Sequence, residues 1–437
     1  MPPTPEPVVA GSTAVPRVLQ PFSPARTGGD GDGHQPDDAD RDDARARLAG
    51  VVRTTPVVRN RALSDLLGGD VWLKAENLQR AGSFKIRGAY TRIARLSPAE
   101  RARGVVAASA GNHAQGVALA ASLLGTTATV FMPVGAALPK VAATTAYGAR
   151  IEHVGHSVDE ALVAAREMSE RTGAVLVHPF DHVDVVSGQA SLGAEVLEQV
   201  PGARTVVVCT GGGGLLAGVA LEAGRARRLG REVAVVGVQA AGAAAYPASL
   251  AAGAPVALER MHTMADGIAV GRPGGVPFRI VADLVDRVVT VTEEDLSRAL
   301  VLLLERAKLV VEPAGAAAVA ALMADPGAFE PPVVAVLSGG NVDPLVLHRV
   351  LRHGLVAGGR YLLLRVRIAD TPGALGRLLE EVGRTDANLV EVEHRRTGPR
   401  LHVDEVEVAL QLETRGGEHR DGVIAALRAG GYGVTLE

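Results

Sequence analysis

The most restrictive feature of this chain is a series of short, β-branched apolar runs between residues 104 and 337, each followed by a stretch with helical spacing. Residues 104–109, 128–132, 150–154, 174–177, 205–209, 233–238, 285–291 and 333–337 read as strands; 114–124, 134–147 and 157–172 read as helices. Strands that are apolar at consecutive positions need cover on both faces. Parallel strands joined by helical crossovers provide that cover. The expectation is an α/β body of doubly wound parallel sheets spanning residues 43–355. Composition agrees: the chain is 47% hydrophobic but only 3% aromatic, so Ala, Val and Leu must build the interior.

The rest of the 437 residues divides around that body. Residues 1–42 are rich in Pro, Gly and Asp, cannot bury a core, and read as a disordered tail. After Ala357-Gly358-Gly359 the pattern changes. Residues 360–369 alternate, with Leu362, Leu364, Val366 and Ile368 on one face, and Pro372-Gly373-Ala374-Leu375 opens a helix. Two further strands (388–395 and 403–412), a helix (418–429) and a last strand complete the order βαββαβ. Residues 356–437 are therefore expected to form a ferredoxin-like α+β module. A net charge of −3 gives no electrostatic reason to expect nucleic acid. No apolar run reaches the length of a membrane span, and the first residues lack the pattern of a signal peptide. A single cysteine, Cys209, excludes an internal disulfide framework and fits a cytoplasmic protein.

Four loops carry the chemistry. Ser83-Phe84-Lys85-Ile86-Arg87-Gly88-Ala89 follows a short strand at 71–74 and opens a helix for which Ser83 is the expected N-cap. Lys85 then lies in the first turn. The positive helix end and apolar neighbours there disfavour its ammonium, as in lysines that form Schiff bases. Taken alone, the heptapeptide also suits an ordinary surface lysine. Gly211-Gly212-Gly213-Gly214 follows strand 205–209 and precedes a helix from Leu215, so bare amides can converge on a phosphate. A dinucleotide fingerprint fails at Leu216 and Gln239, and a Walker A loop fails where Val219 follows Gly218. Ser109-Ala110-Gly111-Asn112-His113 offers a hydroxyl, a carboxamide and free amides that suit a carboxylate. Ser338-Gly339-Gly340-Asn341 is a third glycine-rich turn at a strand end, and such ends share one crevice in open α/β sheets.

These segments, in this order over residues 50–350, resemble the pyridoxal-phosphate ammonia-lyases of threonine dehydratase type (fold type II, two subdomains). The C-terminal module is similar to an ACT regulatory domain, with Asp370-Thr371-Pro372-Gly373-Ala374-Leu375 as its characteristic turn. The resemblance implies that Lys85 forms a Schiff base with pyridoxal 5'-phosphate beside Phe84, and later takes the substrate's Cα proton. It implies that Asn112 bonds the ring's 3′-oxygen, that Gly211, Gly212, Gly213, Gly214 and Leu215 hold the phosphate, and that Ser338 meets the ring nitrogen. Ser109, Asn112 and His113 would receive the substrate carboxylate. A hydroxyl at Ser338 leaves the ring neutral, which favours elimination over transamination.

The implied reaction is β-elimination and deamination of L-threonine to 2-oxobutanoate and ammonia, feeding isoleucine biosynthesis. Isoleucine or valine would be the effector at the ACT domain, and the assembly a homotetramer or homodimer. A serine-preferring dehydratase acting on L-serine, or a non-catalytic amino-acid sensor, are the alternatives. Two departures from relatives stand out. Ala110 replaces the serine that serves racemases as acid/base. Residues 239–245 lack the carboxylates of a divalent-cation site, so no metal is expected. Glu312 reads either as lining the cofactor pocket or as a helix-start carboxylate, His178 and His182 as poor metal ligands, and Cys209 as packing.

Overall fold

Three sheets carry the chain in a computed structural model that describes residues 35–396 and 401–436. The strands are β1 (Val57–Arg59), β2 (Val71–Ala75), β3 (Val105–Ala108), β4 (Ala128–Met132), β5 (Arg150–His153), β6 (Val175–Leu176), β7 (Thr205–Cys209), β8 (Ala234–Ala240), β9 (Arg287–Val291) and β10 (Val333–Leu337), then β11 (Tyr361–Ala369), β12 (Asn388–Arg395), β13 (Glu405–Glu413) and β14 (Gly433–Leu436). The large sheet runs β1-β2-β10-β7-β8-β9 and is parallel except for β1; the smaller lobe is the parallel sheet β5-β4-β3-β6. Both sheets have the expected parallel pairing, and β7 and β10 are buried at every position, but the edge strands β5 and β6 of the small lobe have no buried residue.

Chain order explains where a site can form. The chain leaves the large sheet after β2, builds the small lobe, and returns at β7. Strand β10 then inserts between β2 and β7, pairing Leu337 with Ala75 and Val333 with Thr205. The C-terminal ends of β2, β3, β7 and β10 consequently open on one crevice between the lobes, as expected for doubly wound sheets.

The first helix, Asp38–Leu48, begins earlier than the sequence suggests, so residues 38–42 are helix rather than tail. Asp37 and Asp40 form a capping box, and Arg41 is buried against Glu222, donating to Oε1 at 2.6 Å. A run of aspartates looks solvated in sequence; here one buried arginine and a double cap hold it. Residues 1–34 lie outside the described residues.

The C-terminal sheet is antiparallel in the order β12-β13-β11-β14. Leu362, Leu364, Val366 and Ile368 point to one side and pack with Leu378, Val382, Val423 and Leu427 of the two helices. This is the ferredoxin-like α+β arrangement. It follows the helix Pro344–Ala357, and Arg360 pairs with Glu305 of the preceding body. Among the described residues no helix is long and apolar enough to cross a membrane.

Candidate active site

The helix carrying Lys85 starts at Lys85 itself, one residue later than a cap at Ser83 would place it. Ser83 is extended (φ −163°, ψ 165°) and bridges to Gly339, while the Phe84 amide donates to the Ser338 carbonyl at 3.1 Å. Ser83 is therefore held in a sheet-like contact and is not the N-cap; its buried hydroxyl has no partner among the described residues. That contact fixes Lys85 at the first helical position, beside the end of β10. The lysine is half-buried, its Nζ donates to the Pro179 carbonyl at 3.0 Å, and it lies 5.2 Å from the Phe84 ring centroid. Burial pushes its ammonium down to about 8, against the opposing pull of Cys209 and Glu312.

Across the crevice, Gly211–Gly214 closes a cup after β7. Gly213 has φ +97° and caps the helix Gly214–Arg228 without a side chain, leaving the first-turn amides of Gly214 and Leu215 free of intrahelical acceptors. Phe180 and Tyr246 wall the loop, and the Tyr246 hydroxyl donates to the Gly212 carbonyl at 3.3 Å. A Cβ on Gly213 would both adopt a left-handed backbone and collide with the Tyr246 hydroxyl. Gly213→Ala should weaken pyridoxal-phosphate binding by roughly 10- to 100-fold, measured by titrating the apoprotein, with the fold retained by circular dichroism.

At the end of β10, the buried Ser338 hydroxyl accepts from Cys209 Sγ at 3.1 Å. With one lone pair so occupied, its own hydrogen remains available to donate toward the crevice. Cys209, expected to be packing, thus touches the site. Burial keeps its thiol protonated, pushed up to about 11, so it acts as a donor.

The helix Asn112–Leu123 opens on the same space from the small lobe. Ser109 Oγ accepts from the Gly111 amide at 3.1 Å. Asn112 donates from Nδ2 to Glu312 Oε1 at 2.6 Å and accepts at Oδ1 from Asn341 Nδ2 at 2.8 Å. His113 is buried, with Nε2 bonded to the Val177 carbonyl at 2.8 Å, and burial pushes the ring down to about 3, with Lys85 adding to the effect. Only its backbone amide can meet a carboxylate. Glu312 stands at the N-cap position of the helix Pro313–Ala324, as a helix-start carboxylate would, but its side chain makes no cap bond and turns to Asn112 instead. His178 and His182 do not form a ligand pair. Each accepts amide hydrogens of its own turn, from Asp181 at 2.8 Å and from Asp184 at 3.1 Å respectively. Among the described residues no group of three or more His, Cys, Asp or Glu gathers as metal ligands, and Gln239 instead accepts from the Tyr246 amide.

A cup that tolerates no side chain, a lysine whose ammonium is weakened by burial and a hydroxyl donor at the third strand end fit a phosphorylated pyridine aldehyde. The arrangement defines an α/β enzyme that uses pyridoxal phosphate. A family profile described as "Pyridoxal-phosphate dependent enzyme" matches residues 48–339. The chain belongs to this pyridoxal-phosphate-dependent family and, within it, to the fold type II threonine dehydratases. It is 43% identical over 394 residues to the L-threonine ammonia-lyase of Thermotoga maritima, covering 90% of this chain and 98% of that one. It is 45% identical over 398 residues to the L-threonine ammonia-lyase of Geobacter sulfurreducens, with the same coverage. The solved structure of the processed form of threonine deaminase isoform 2 from Solanum lycopersicum superposes with a TM-score of 0.70 at 33% identity, covering 78% of this chain and 98% of that one. The first two matches run past the profile into the C-terminal module.

Proposed function

We propose that the chain catalyses β-elimination and deamination of L-threonine to 2-oxobutanoate and ammonia. The observation that carries this reading is the half-buried Lys85 amine, bonded to the carbonyl of Pro179 next to the Phe180 that walls the Gly211–Gly214 cup, in a chain that matches two L-threonine ammonia-lyases over nine-tenths of its length. Bound pyridoxal phosphate supplies the electron sink that weakens the substrate's Cα–H bond. Lys85 holds the cofactor and then serves as the base for that proton, since an amine near 8 takes and returns protons at neutral pH. The free first-turn amides of Asn112 and His113, with Ser109 beside them, orient the substrate carboxylate. Ser338 would hold the ring nitrogen through a neutral hydroxyl rather than an ion pair, which would favour loss of the β-hydroxyl over transamination. Ala110 offers no second acid/base, so racemisation is slow.

The C-terminal module serves as an ACT domain that binds isoleucine or valine and shifts the catalytic equilibrium, within a cytoplasmic homo-oligomer on the isoleucine route. Its support is the βαββαβ order and the Asp370–Leu375 turn, in which Gly373 takes φ +82°. Such control requires an effector with different affinity for two states.

Turnover of threonine and serine by the purified, cofactor-loaded chain tests the reading. Threonine should be preferred in kcat/KM by about tenfold or more, the range expected for one methyl group in an apolar pocket. Added isoleucine should make the threonine saturation curve sigmoidal. Absence of 2-oxo acid from both substrates overturns the proposal, and a serine preference overturns its substrate.

A further inference from the structure

Glu312 occupies the N-cap position of its helix yet caps nothing. Its carboxyl lies over Gly339, where any Cβ would collide with Oε1, and reaches across to the small lobe. There it accepts from a neutral amide, Asn112 Nδ2, at 2.6 Å. The direction of that bond is fixed from the far end. Asn341 Nδ2 donates to the Ala81 carbonyl at 2.7 Å, so this end of Asn341 must be nitrogen. The same nitrogen donates to Asn112 Oδ1 at 2.8 Å, which turns the Asn112 nitrogen toward Glu312. One N–H of Asn112 serves Glu312; the other is left for a ligand.

We propose that Glu312 is a positioning residue for the cofactor: through Asn112 it aims that second N–H at the anionic ring oxygen, and its own proton makes the contact pH-dependent. The inference rests on the role assigned to Asn112 in the proposed function. The charged and titratable groups facing Glu312 are Asp266 at the crevice wall, Lys140 of the helix Leu138–Ala146, Lys85, and the Cys209 thiol at the end of β7. Lys140 is engaged elsewhere, with Nζ 2.5 Å from Asp266 Oδ2. Burial pushes the Glu312 carboxyl up to about 7, and Asp266 pushes the same way, against Asn112, Lys140 and Lys85. The sign follows. Below that pH the acid is neutral and tolerates an anionic oxygen sharing Asn112; above it the carboxylate repels that oxygen and competes for the amide.

Pyridoxine 5'-phosphate is the probe, because it lacks the aldehyde and removes covalent capture by Lys85 from the reading. Its affinity is measured for the wild-type chain and for Glu312→Gln, which keeps an acceptor for Asn112 but cannot titrate. At pH 6 the two should bind within about threefold. At pH 8.5 the wild type should bind about tenfold more weakly than the variant, as one added charge near another implies. Comparing the two proteins cancels the titration of the probe's phosphate. Glu312→Ala should lose affinity at both pH values, and adding Asn112→Ala to it should cost little more, since one contact serves both residues. A Glu312→Gln/wild-type ratio that stays flat with pH, or additive losses in the double variant, overturns the inference while leaving the cofactor assignment intact. Failure of both proteins to bind the probe overturns the two together.

Discussion

Lys85→Ala should abolish threonine turnover, lowering kcat by roughly three orders of magnitude or more, because the same nitrogen serves as cofactor anchor and as base. The visible band of the cofactor-loaded protein should disappear, and borohydride should no longer fix the cofactor to the chain. Binding itself should persist in weakened form, since the Gly213–Leu215 amides and Ser338 do not depend on the amine. Lys85→Arg should not rescue, because a guanidinium stays protonated and is no nucleophile. The lowered lysine gives the assignment a pH signature. With its ammonium at about 8, the free-amine fraction falls about tenfold for each pH unit below that value and levels off above it. The rate at which apoprotein captures pyridoxal phosphate should follow that curve. An unperturbed lysine would keep rising toward 10.5. A variant that retains turnover or the borohydride adduct removes Lys85 from the chemistry.

How this site could be read ahead of the structure depends on which physical signals are local. The glycine run at 211–214 and the lysine segment announce themselves because backbone amides at a helix start and a lysine in a first turn are properties of a few adjacent residues. The period of the apolar runs reports that β7 and β10 are covered on both faces. It does not report which strands are neighbours, so the insertion of β10 between β2 and β7 was not legible. Nor was the bridge from Ser83 to Gly339, which a helix-cap pattern imitates. Phe180 and Tyr246 come from distant segments to wall the phosphate cup, and no spacing rule links them to Gly212. Glu312 before a proline looks like a helix-start carboxylate, and only the position of Gly339 beneath it turns it into the pocket. Arg87 is the extreme case. In sequence it is one more charge in a helix near the surface; in the fold it is fully buried.

That arginine carries a large expected effect on stability. Its guanidinium donates from Nε and Nη2 to both Glu76 oxygens at 2.8 Å, and from Nη1 and Nη2 to both Glu195 oxygens at 2.7 and 2.9 Å. Lys74 completes the group, donating to Glu195 at 2.7 Å and to the Thr55 carbonyl at 2.9 Å, and Thr55 Oγ1 donates to Glu76 at 2.5 Å. Two cations and two anions thus balance with their hydrogen bonds satisfied. Burial alone would pull the guanidinium down, but Glu76 and Glu195 hold it above its ordinary value. Arg87→Ala leaves two carboxylates facing one ammonium in a dry interior and should cost about 3–5 kcal/mol of unfolding free energy, the usual result of removing one partner from a buried ion cluster. Arg87 stands two residues after Lys85 and ties that helix to the helix Val183–Gln199, so loosening it should also weaken cofactor retention. The companion variant separates charge from packing. Arg87→Met combined with Glu76→Gln removes one cation and one anion together, and should recover a substantial part of the loss, because desolvation of unpaired charge is the dominant cost. Urea unfolding of the three proteins decides the matter. If Arg87→Ala unfolds within about 1 kcal/mol of wild type, a loss typical of an exposed pair, or if the double variant is no better than the single one, the ion cluster does not anchor the helix that presents Lys85.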